Sequence, residues 1–219
     1  MLKKLMLSAA LAAGVAVPAH ALTFSTQQAN TTGTNAALTA PAGTLVNLSS
    51  PSSSGFTLTT TGTTGVQSGS NTNGAQPANS GATPYFYVTG GASATFQSSA
   101  GYQFVSFYLG SIDSYNTFNV LSTTGAVLGT FTGSQFTNPD IADGGQGDAD
   151  TNRRVTINRS GSDALIGGLR VSSSANSAEF TNLVFGVPEP QTWALMLLGF
   201  GMIGLTIRSR RRKGGVVYA

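Results

Sequence analysis

The side chains that could perform chemistry are few in this chain of 219 residues, and they are unevenly placed. There is no cysteine, the only histidine is His20, and all three lysines lie before residue 22 or after residue 190. Serine–histidine and cysteine–histidine catalysis need a histidine base, and Schiff-base catalysis needs a lysine. The long stretch between the two ends lacks these groups, so we expect a protein that is not an enzyme.

Carboxylates are the main reactive groups that remain. Four of them fall within 11 residues: Asp140, Asp143, Asp148 and Asp150. The start of this loop resembles an EF-hand, but Arg153 and Arg159 occupy the positions where an EF-hand has Gly and Glu. An EF-hand is therefore excluded, and the four aspartates predict at most a looser Ca²⁺ site. The alternative is a solvated acidic loop in which Arg153 and Arg154 pair with the carboxylates.

Two further function classes use residues that this chain does contain. A glycoside hydrolase needs two carboxylates, but most aspartates here lie beside Gly, Asn or Ser, where aspartate is typical of turns. A carbohydrate-binding, lectin-like module needs flat aromatic rings beside polar groups. The rings available for this are Tyr85, Tyr87, Tyr102, Tyr108 and Tyr115. The lectin-like module is the main alternative to a non-enzymatic surface protein, and the hydrolase is the weaker one.

The pattern of apolar residues predicts that strands position these side chains. Short β-branched and aromatic runs alternate with Gly, Asn and Ser, and no segment of the body has sustained helical periodicity. The clearest predicted strands are 84–89, 92–97, 102–109, 117–121, 126–131, 154–158, 164–171 and 178–185. Weaker ones surround Phe24 and cover 45–48 and 56–58. We predict an all-β domain over 22–187, a β-sandwich or jelly roll, with a barrel as the competing form.

One segment of this domain has an unusual composition. Residues 59–80 consist mainly of Thr, Gly, Ser and Asn with few apolar anchors, which predicts a long mobile loop.

The charge of the domain differs from that of the whole chain. Residues 22–187 carry seven acidic and four basic side chains, so their net charge of −3 is opposite to the +3 of the whole chain. No basic patch supports binding to nucleic acid.

The first 21 residues have the three parts of a secretory signal peptide. Two lysines follow Met1 and Leu2, an apolar run covers 5–17, and Ala19-His20-Ala21 ends the segment. This order is typical of a signal peptide that is removed after an Ala-x-Ala sequence. We predict cleavage by signal peptidase, with Ala19 and Ala21 as its recognition residues.

A second apolar stretch lies near the C-terminus. Residues 193–207 carry no charge, and five basic residues follow within 208–213. A membrane-spanning helix needs about 20 residues, and interfacial Trp and Arg side chains extend its reach. We predict a transmembrane helix over 192–207, a basic tail to residue 213 and a short tail over 214–219. Because basic residues stay on the cytoplasmic side, the β-rich domain is predicted to lie outside the cytoplasm.

The residues before and after this stretch resemble a known sorting signal. The segment resembles the PEP-CTERM signal in its Pro-Glu-Pro-x-x-Trp-Ala variant. It has the same three parts in order: Val-Pro-Glu-Pro-Gln-Thr-Trp-Ala over 187–194, the apolar run and the arginine cluster. The sorting segment would then cover 188–213. The resemblance implies recognition residues at Pro188, Glu189, Pro190, Trp193 and Ala194.

The same resemblance implies a place in the cell and a set of partners. PEP-CTERM signals belong to Gram-negative bacteria that make exopolysaccharide, and a membrane-embedded exosortase processes the protein near Pro-Glu-Pro. We therefore expect export across the inner membrane, a membrane-anchored precursor, and then a location at the cell surface or outside the cell. Exosortase and signal peptidase are the expected partners, together with exopolysaccharide in a biofilm. No cofactor is expected apart from the Ca²⁺ considered above.

The domain itself also resembles a family. It is similar to a family of exosortase-dependent surface proteins in three places: residues 107–118, Gly-Thr-Phe-Thr-Gly at 129–133 and Glu-Phe-Thr-Asn-Leu at 179–183. The resemblance covers roughly residues 85–186, and it implies a surface location without a defined biochemical role. Physically, Gly110 and the polar residues 113–116 indicate a turn between two strands.

Overall fold

The computed structural model describes residues 22–186, apart from 31 and 162, together with the isolated positions 200 and 202. Several predicted segments lie outside the described residues: the signal peptide, the recognition residues of the sorting segment and the tail 214–219. The predicted transmembrane helix also lies outside them, except at 200 and 202. Among the residues described, no helix is long and apolar enough to cross a membrane.

The described chain consists almost entirely of antiparallel strands, which confirms the all-β prediction. The strands are β1 Thr23–Gln28, β2 Thr44–Leu45, β3 Thr57–Thr61, β4 Thr64–Gln67, β5 Tyr85–Val88, β6 Ser93–Tyr102, β7 Phe104–Gly110, β8 Asn116–Ser122, β9 Val127–Thr132, β10 Arg153–Asn158, β11 Ile166–Ser173 and β12 Ala178–Gly186. Each of the eight clearest predicted strands matches one of β5–β12 to within a few residues.

The strands form two sheets that pack face to face as a sandwich. Sheet A has seven strands in the order β1-β10-β7-β12-β5-β4, and β2 pairs with the far end of β12, beyond β5. Sheet B has five strands in the order β3-β6-β11-β8-β9. The turn at Asp113–Asn116 joins β7 of sheet A to β8 of sheet B, as the polar residues there predicted.

Phenylalanine side chains fill the space between the sheets. Phe107 and Phe180 of sheet A and Phe96 and Phe118 of sheet B are all fully buried. The ring of Phe180 lies 5.8 Å from that of Phe96 and the ring of Phe107 lies 5.5 Å from that of Phe118, between centroids. Burying one such side chain contributes about 1.5–3 kcal/mol, so this layer is the main source of stability.

Strand β12 reaches this layer along its whole length only because it contains a bulge. Thr181 pairs with Tyr108 of β7 and Val184 pairs with Ser106, so β12 has one residue more than its neighbour between these pairs. The residues that face the core are Ala178, Phe180, Leu183 and Phe185. The inward positions therefore change from even to odd numbers at Asn182, which has a φ of +50°. Without the extra residue, the second half of β12 would turn its apolar side chains outward.

A buried arginine holds this bulge in place. The Arg154 side chain is 5% exposed, and its Nη1 donates to the carbonyl of Asn182 over 3.3 Å. Its Nε and Nη2 donate to the carbonyls of Ala37 and Leu38. The Asn182 side-chain amide donates to the same Leu38 carbonyl over 3.0 Å. Arg154 thus fastens the one-turn helix Ala36–Leu38 onto the outer face of sheet A. Burial lowers the pKa of Arg154 to about 10, so it stays charged at neutral pH.

The prediction of one long loop over 59–80 is wrong. This segment contains the end of β3, the whole of β4 and an Asn71–Gly74 bridge, and Ala75, Ala78 and Ser80 are buried. Its small side chains fit against the outer face of sheet A, and its backbone groups bond to Asn152 and Tyr108. Hydrogen bonds from neighbouring strands therefore order a segment that has few apolar anchors of its own.

A short helix was also missing from the predicted elements. The helix α1, Gly133–Thr137, begins at a capping box between Thr132 and Gln135 and buries Phe136. One helical turn is too short to show a periodicity of 3.6 residues.

The Asn182 bulge leads to a stability prediction. Both Asn182→Gly and Asn182→Ala remove the side-chain hydrogen bond. Glycine tolerates positive φ, whereas alanine keeps a Cβ in the left-handed region without the polar group that makes asparagine tolerated there. We expect the alanine variant to be less stable than the glycine variant by about 1 kcal/mol. Urea unfolding of the two purified variants measures this difference. An alanine variant as stable as the glycine variant would contradict the role of the bulge.

Candidate functional site

A polar cleft of about 410 Å³ lies at the end of the sandwich where β12 begins. It lies between five segments: the residues after β7, the segment 71–75, the residues 89–90 after β5, the turn 175–177 that precedes β12, and the loop 143–146. Its acidic side chains are Glu179, Asp113 and Asp143. The β7–β8 turn and the loop 143–146 are joined by a bridge between Asp113 and Asp143, which fixes these two segments relative to each other.

Glu179 forms the most deeply buried part of this cleft. The residue is 3% exposed, because β12 is an inner strand of sheet A. The Ser111 hydroxyl donates to its Oε2 over 2.8 Å, and the Ala75 amide donates to its Oε1 over 3.1 Å. Burial raises the pKa of Glu179 to about 7, and the nearby charge of Asp113 adds to this effect, although the two hydrogen bonds oppose it. The carboxyl group can therefore either accept or donate a proton near neutral pH.

Asp113 and Tyr115 form a second titratable pair in the cleft. Burial raises the pKa of Asp113, a hydrogen bond from Tyr115 lowers it, and the charge of Asp143 raises it again. Burial and the hydrogen bond to Asp113 raise the pKa of Tyr115 to about 12, so its hydroxyl remains a donor. Two carboxyl groups with raised pKa values thus share one cleft with a phenol.

The lining of the cleft indicates the kind of ligand it could hold. Besides its carboxyl groups, it presents the amides of Asn71, Gln146 and Asn176 and several hydroxyls. None of the arginines that the structure describes lines it. The negative charge of the carboxylates would repel an anion, whereas a neutral molecule with many hydroxyl groups would find donors and acceptors on each side.

The four aspartates predicted as calcium ligands do not converge on one point. Asp140 forms an ion pair with Arg153 at 2.5 Å and accepts a hydrogen bond from Gln28. Asp143 turns toward the cleft, and Asp148 and Asp150 accept bonds through their backbone carbonyls from Asn152 and Arg153. Within the described ranges, no group of three or more His, Cys, Asp or Glu side chains is arranged to hold a metal ion. Calcium binding here stays a prediction that would require the loop to rearrange.

The arginines of the predicted acidic loop behave differently from each other. Arg153 pairs with a carboxylate as the alternative interpretation expected, but Arg154 points to the outer face of sheet A and bonds to carbonyls instead. The loop is anchored by Asn152, whose side chain is fully buried and bonds to backbone groups on both sides.

Of the five tyrosines that could have formed a sugar-binding platform, only Tyr115 lines the cleft. Tyr85 and Tyr108 are fully buried, and their hydroxyls donate to the carbonyls of Gly74 and Ala78. The ring of Tyr102 stacks on Phe56 with 5.9 Å between centroids. These three rings therefore contribute to the packing of the domain.

One feature of the sequence does point to the cleft. Glu179 is the only glutamate within 22–187, and it is the only charged residue of a strand whose core-facing side chains are apolar. A lone ionisable residue in a buried strand marks a place where the chain needs a carboxyl group or tolerates its cost. Its proximity to Asp113, which is 66 positions earlier, depends on sheet order and could not be read from spacing.

The raised pKa of Glu179 predicts how stability changes with pH. Between its usual value of 4.5 and about 7, the unfolded chain releases a proton that the folded chain keeps. The free energy of unfolding should therefore fall as the pH rises through this range, by up to about 3 kcal/mol. Glu179→Gln cannot ionise and should lack this part of the decline. Urea unfolding of both proteins at several pH values from 4 to 8 isolates the effect, because Asp113 contributes equally to both. Parallel curves would show that folding does not raise the pKa of Glu179.

Comparison with known proteins gives one match in sequence and two weak likenesses in structure. No curated protein matches the chain. The enzymatically active domain of tailspike protein 4 from bacteriophage CBA120 superimposes with a TM-score of 0.36 and 16% identity, over 66% of this chain and 21% of that one. CsCBM6-3 from Clostridium stercorarium, solved with cellobiose, gives a TM-score of 0.35 and 17% identity, over 59% of this chain and 86% of that one. The chain thus spans about a fifth of the tailspike domain, and likenesses this weak do not bear on its function.

The sequence match falls on the segment that follows β12. Residues 186–212 fit the model of the PEP-CTERM protein-sorting motif. This range contains Pro188, Glu189, Pro190, Trp193 and Ala194, the five residues predicted from the resemblance. The chain therefore carries a PEP-CTERM sorting signal, and it is an exported protein that is processed at the membrane and then located at the cell surface or outside the cell.

Proposed function

We propose that this protein is a non-enzymatic component of the cell surface or extracellular matrix of a Gram-negative bacterium. Signal peptidase removes residues 1–21, a helix over 192–207 holds the precursor in the membrane, and exosortase processes it near Pro-Glu-Pro. The sandwich would then remain in the exopolysaccharide of a biofilm. The low charge of the domain and the lack of His, Cys and Lys between 22 and 190 support a structural role over catalysis.

The observation that carries this proposal is where the fold ends. Strand β12 ends at Gly186, the residue at which the sorting motif begins. Inside the sandwich, β12 pairs with β7 along one edge and with β5 and β2 along the other. A cut near Pro188–Pro190 would therefore fall just outside the last strand and would leave every described hydrogen bond of the two sheets intact. This separation of fold and signal suits a domain that is released whole.

The first test of the proposal replaces Pro188, Glu189 and Pro190 by alanine. In cells that contain exosortase, we expect this variant to accumulate as an unprocessed, membrane-retained form, because the recognition tripeptide is gone while the apolar run remains. The control replaces three tail residues, Val216, Val217 and Tyr218, by alanine and should be processed normally. Mass spectrometry of envelope and secreted fractions measures where each mature chain ends. Normal processing of the tripeptide variant would overturn the proposal.

A second candidate function is carbohydrate binding in the cleft, which its lining of carboxyl, amide and hydroxyl groups favours. Sugars are held in proteins by such groups, and the carboxyl groups of the lining favour a neutral sugar over an acidic one. A glycoside hydrolase would use a pair of carboxyl groups, and Glu179 and Asp113 of this cleft are such a pair. Binding of a sugar without its hydrolysis would distinguish a binding module from a hydrolase.

The corresponding experiment uses a glycan array followed by an assay of reducing-sugar release. For a binding module, we expect retention of a neutral glycan, no sugar release, and a loss of affinity of about tenfold in Asp113→Asn, since a charge-assisted hydrogen bond is lost. Asp150→Asn makes the same change outside the cleft and should bind normally. Sugar release that disappears in Asp113→Asn would instead indicate a hydrolase. Equal binding by both variants would rule out the cleft as the site.

A further inference from the structure

The two sheets differ in what covers their outer faces. On sheet A, Tyr108 and Arg154 point away from the core, yet they are buried under the segments around Ala37 and Ala78. On sheet B, the outward side chains of Thr59, Thr130 and Arg170 are exposed. The outward side chains aligned across its five strands are exposed or half-buried, except that Asn119 is 8% exposed.

Strand register aligns these side chains into two continuous rows. The first row crosses β3, β6, β11, β8 and β9 through Thr61, Ser93, Ser172, Thr117 and Thr132. The second row crosses the same strands through Thr59, Thr95, Arg170, Asn119 and Thr130. Neighbouring strands lie about 4.8 Å apart, so each row is about 19 Å long. Every member of the first row carries a hydroxyl group, and neither row contains an apolar or acidic residue.

Arg170 is the only charged side chain in the two rows, and its neighbours hold it in position. Its Nε donates to Oδ1 of Asn119 over 3.0 Å, and the Asn119 amide donates to the Thr130 hydroxyl over 2.8 Å. This chain fixes one edge of the guanidinium plane. Among the described residues, its Nη1 and Nη2 groups have no hydrogen-bond partner. Both groups are therefore available to a flat anion such as a carboxylate.

The chemistry of the rows narrows the class of partner. Protein interfaces depend on buried aromatic or aliphatic anchors, and the rows contain none. Nucleic acids need several basic contacts to phosphate, and the rows supply one. What fits is a chain rich in hydroxyl groups with isolated carboxylates, because hydroxyls pair with hydroxyls and amides while a carboxylate pairs with the guanidinium in bidentate fashion.

We propose that the outer face of sheet B binds a polysaccharide that carries carboxylate groups, with Arg170 as the residue that pairs with a sugar acid. Asn119 is its positioning residue, and the threonine and serine hydroxyls of the two rows contact the sugar hydroxyls. The inference rests on the proposed surface role, for which it names the ligand class. It is independent of the cleft, whose acidic lining disfavours the same ligand.

The test measures binding of the full-length chain, purified in mild detergent, to polygalacturonate and to dextran as a neutral polymer. We expect Arg170→Gln to weaken binding to polygalacturonate about tenfold, the effect of losing one charge-assisted bidentate pair. Arg170→Lys keeps the charge without the planar guanidinium group, so its affinity for polygalacturonate should lie between those of the wild type and Arg170→Gln. Arg159→Gln makes the same charge change outside the face and should leave the affinity unchanged. The pair Thr95→Val and Thr117→Val keeps the shape of the rows and should weaken binding to polygalacturonate, because two hydroxyls are lost.

Several results would overturn the inference. Polygalacturonate binding that is unchanged in Arg170→Gln would do so, and so would an equal loss in Arg159→Gln, which would indicate unspecific charge attraction. A change of oligomeric state in Arg170→Gln without a change in polygalacturonate affinity would assign the face to a second copy of the chain instead. Because the assay uses purified protein, its result does not depend on processing, and the tripeptide experiment tests the sorting role separately.

Discussion

The structure depends on how strand β12 fits into sheet A. It is an inner strand, with neighbours on both edges, and it must supply core side chains along nine residues. The bulge at Asn182 allows this, because it brings both Phe180 and Phe185 into the phenylalanine layer. The same strand carries Glu179 to the cleft at one end and leads into the sorting motif at the other. Core packing, the polar site and the connection to the membrane signal therefore share one element.

Two buried charges on sheet A illustrate how a domain with few ionisable groups accommodates them. Arg154 cannot lose its proton in practice, so it is surrounded by the carbonyls of Ala37, Leu38 and Asn182. Glu179 accepts hydrogen bonds from Ser111 and Ala75, but burial raises its pKa to about 7, so it becomes neutral over part of the physiological range. The arginine thus keeps the same charge across the physiological range, whereas the glutamate makes stability depend on pH within it.

The sequence predicted the elements better than their arrangement. Alternation of apolar and polar residues placed β5–β12 because their core-facing side chains are large, and the turn at Asp113–Asn116 followed from its polar residues. The segment 59–80 was missed because it is held by bonds to distant residues such as Asn152 and Tyr108, which local composition does not report. The cleft was missed for the same reason. Glu179 lies in β12, and Ser111 and Asp113 follow the end of β7. These two strands are neighbours in sheet A but distant in sequence, so only the sheet order brings the three residues together.

The two open polar surfaces lie in different places relative to the sorting segment. Glu179 and Gly186 are at opposite ends of β12, and a rise of about 3.3 Å per residue places them roughly 20 Å apart. The cleft is therefore at the end of the sandwich away from the point where the chain leaves it. The rows of hydroxyl groups belong to sheet B, which contains neither β12 nor the residues that cover sheet A. The point at which the chain leaves the sandwich, Gly186, therefore lies on neither of these two surfaces.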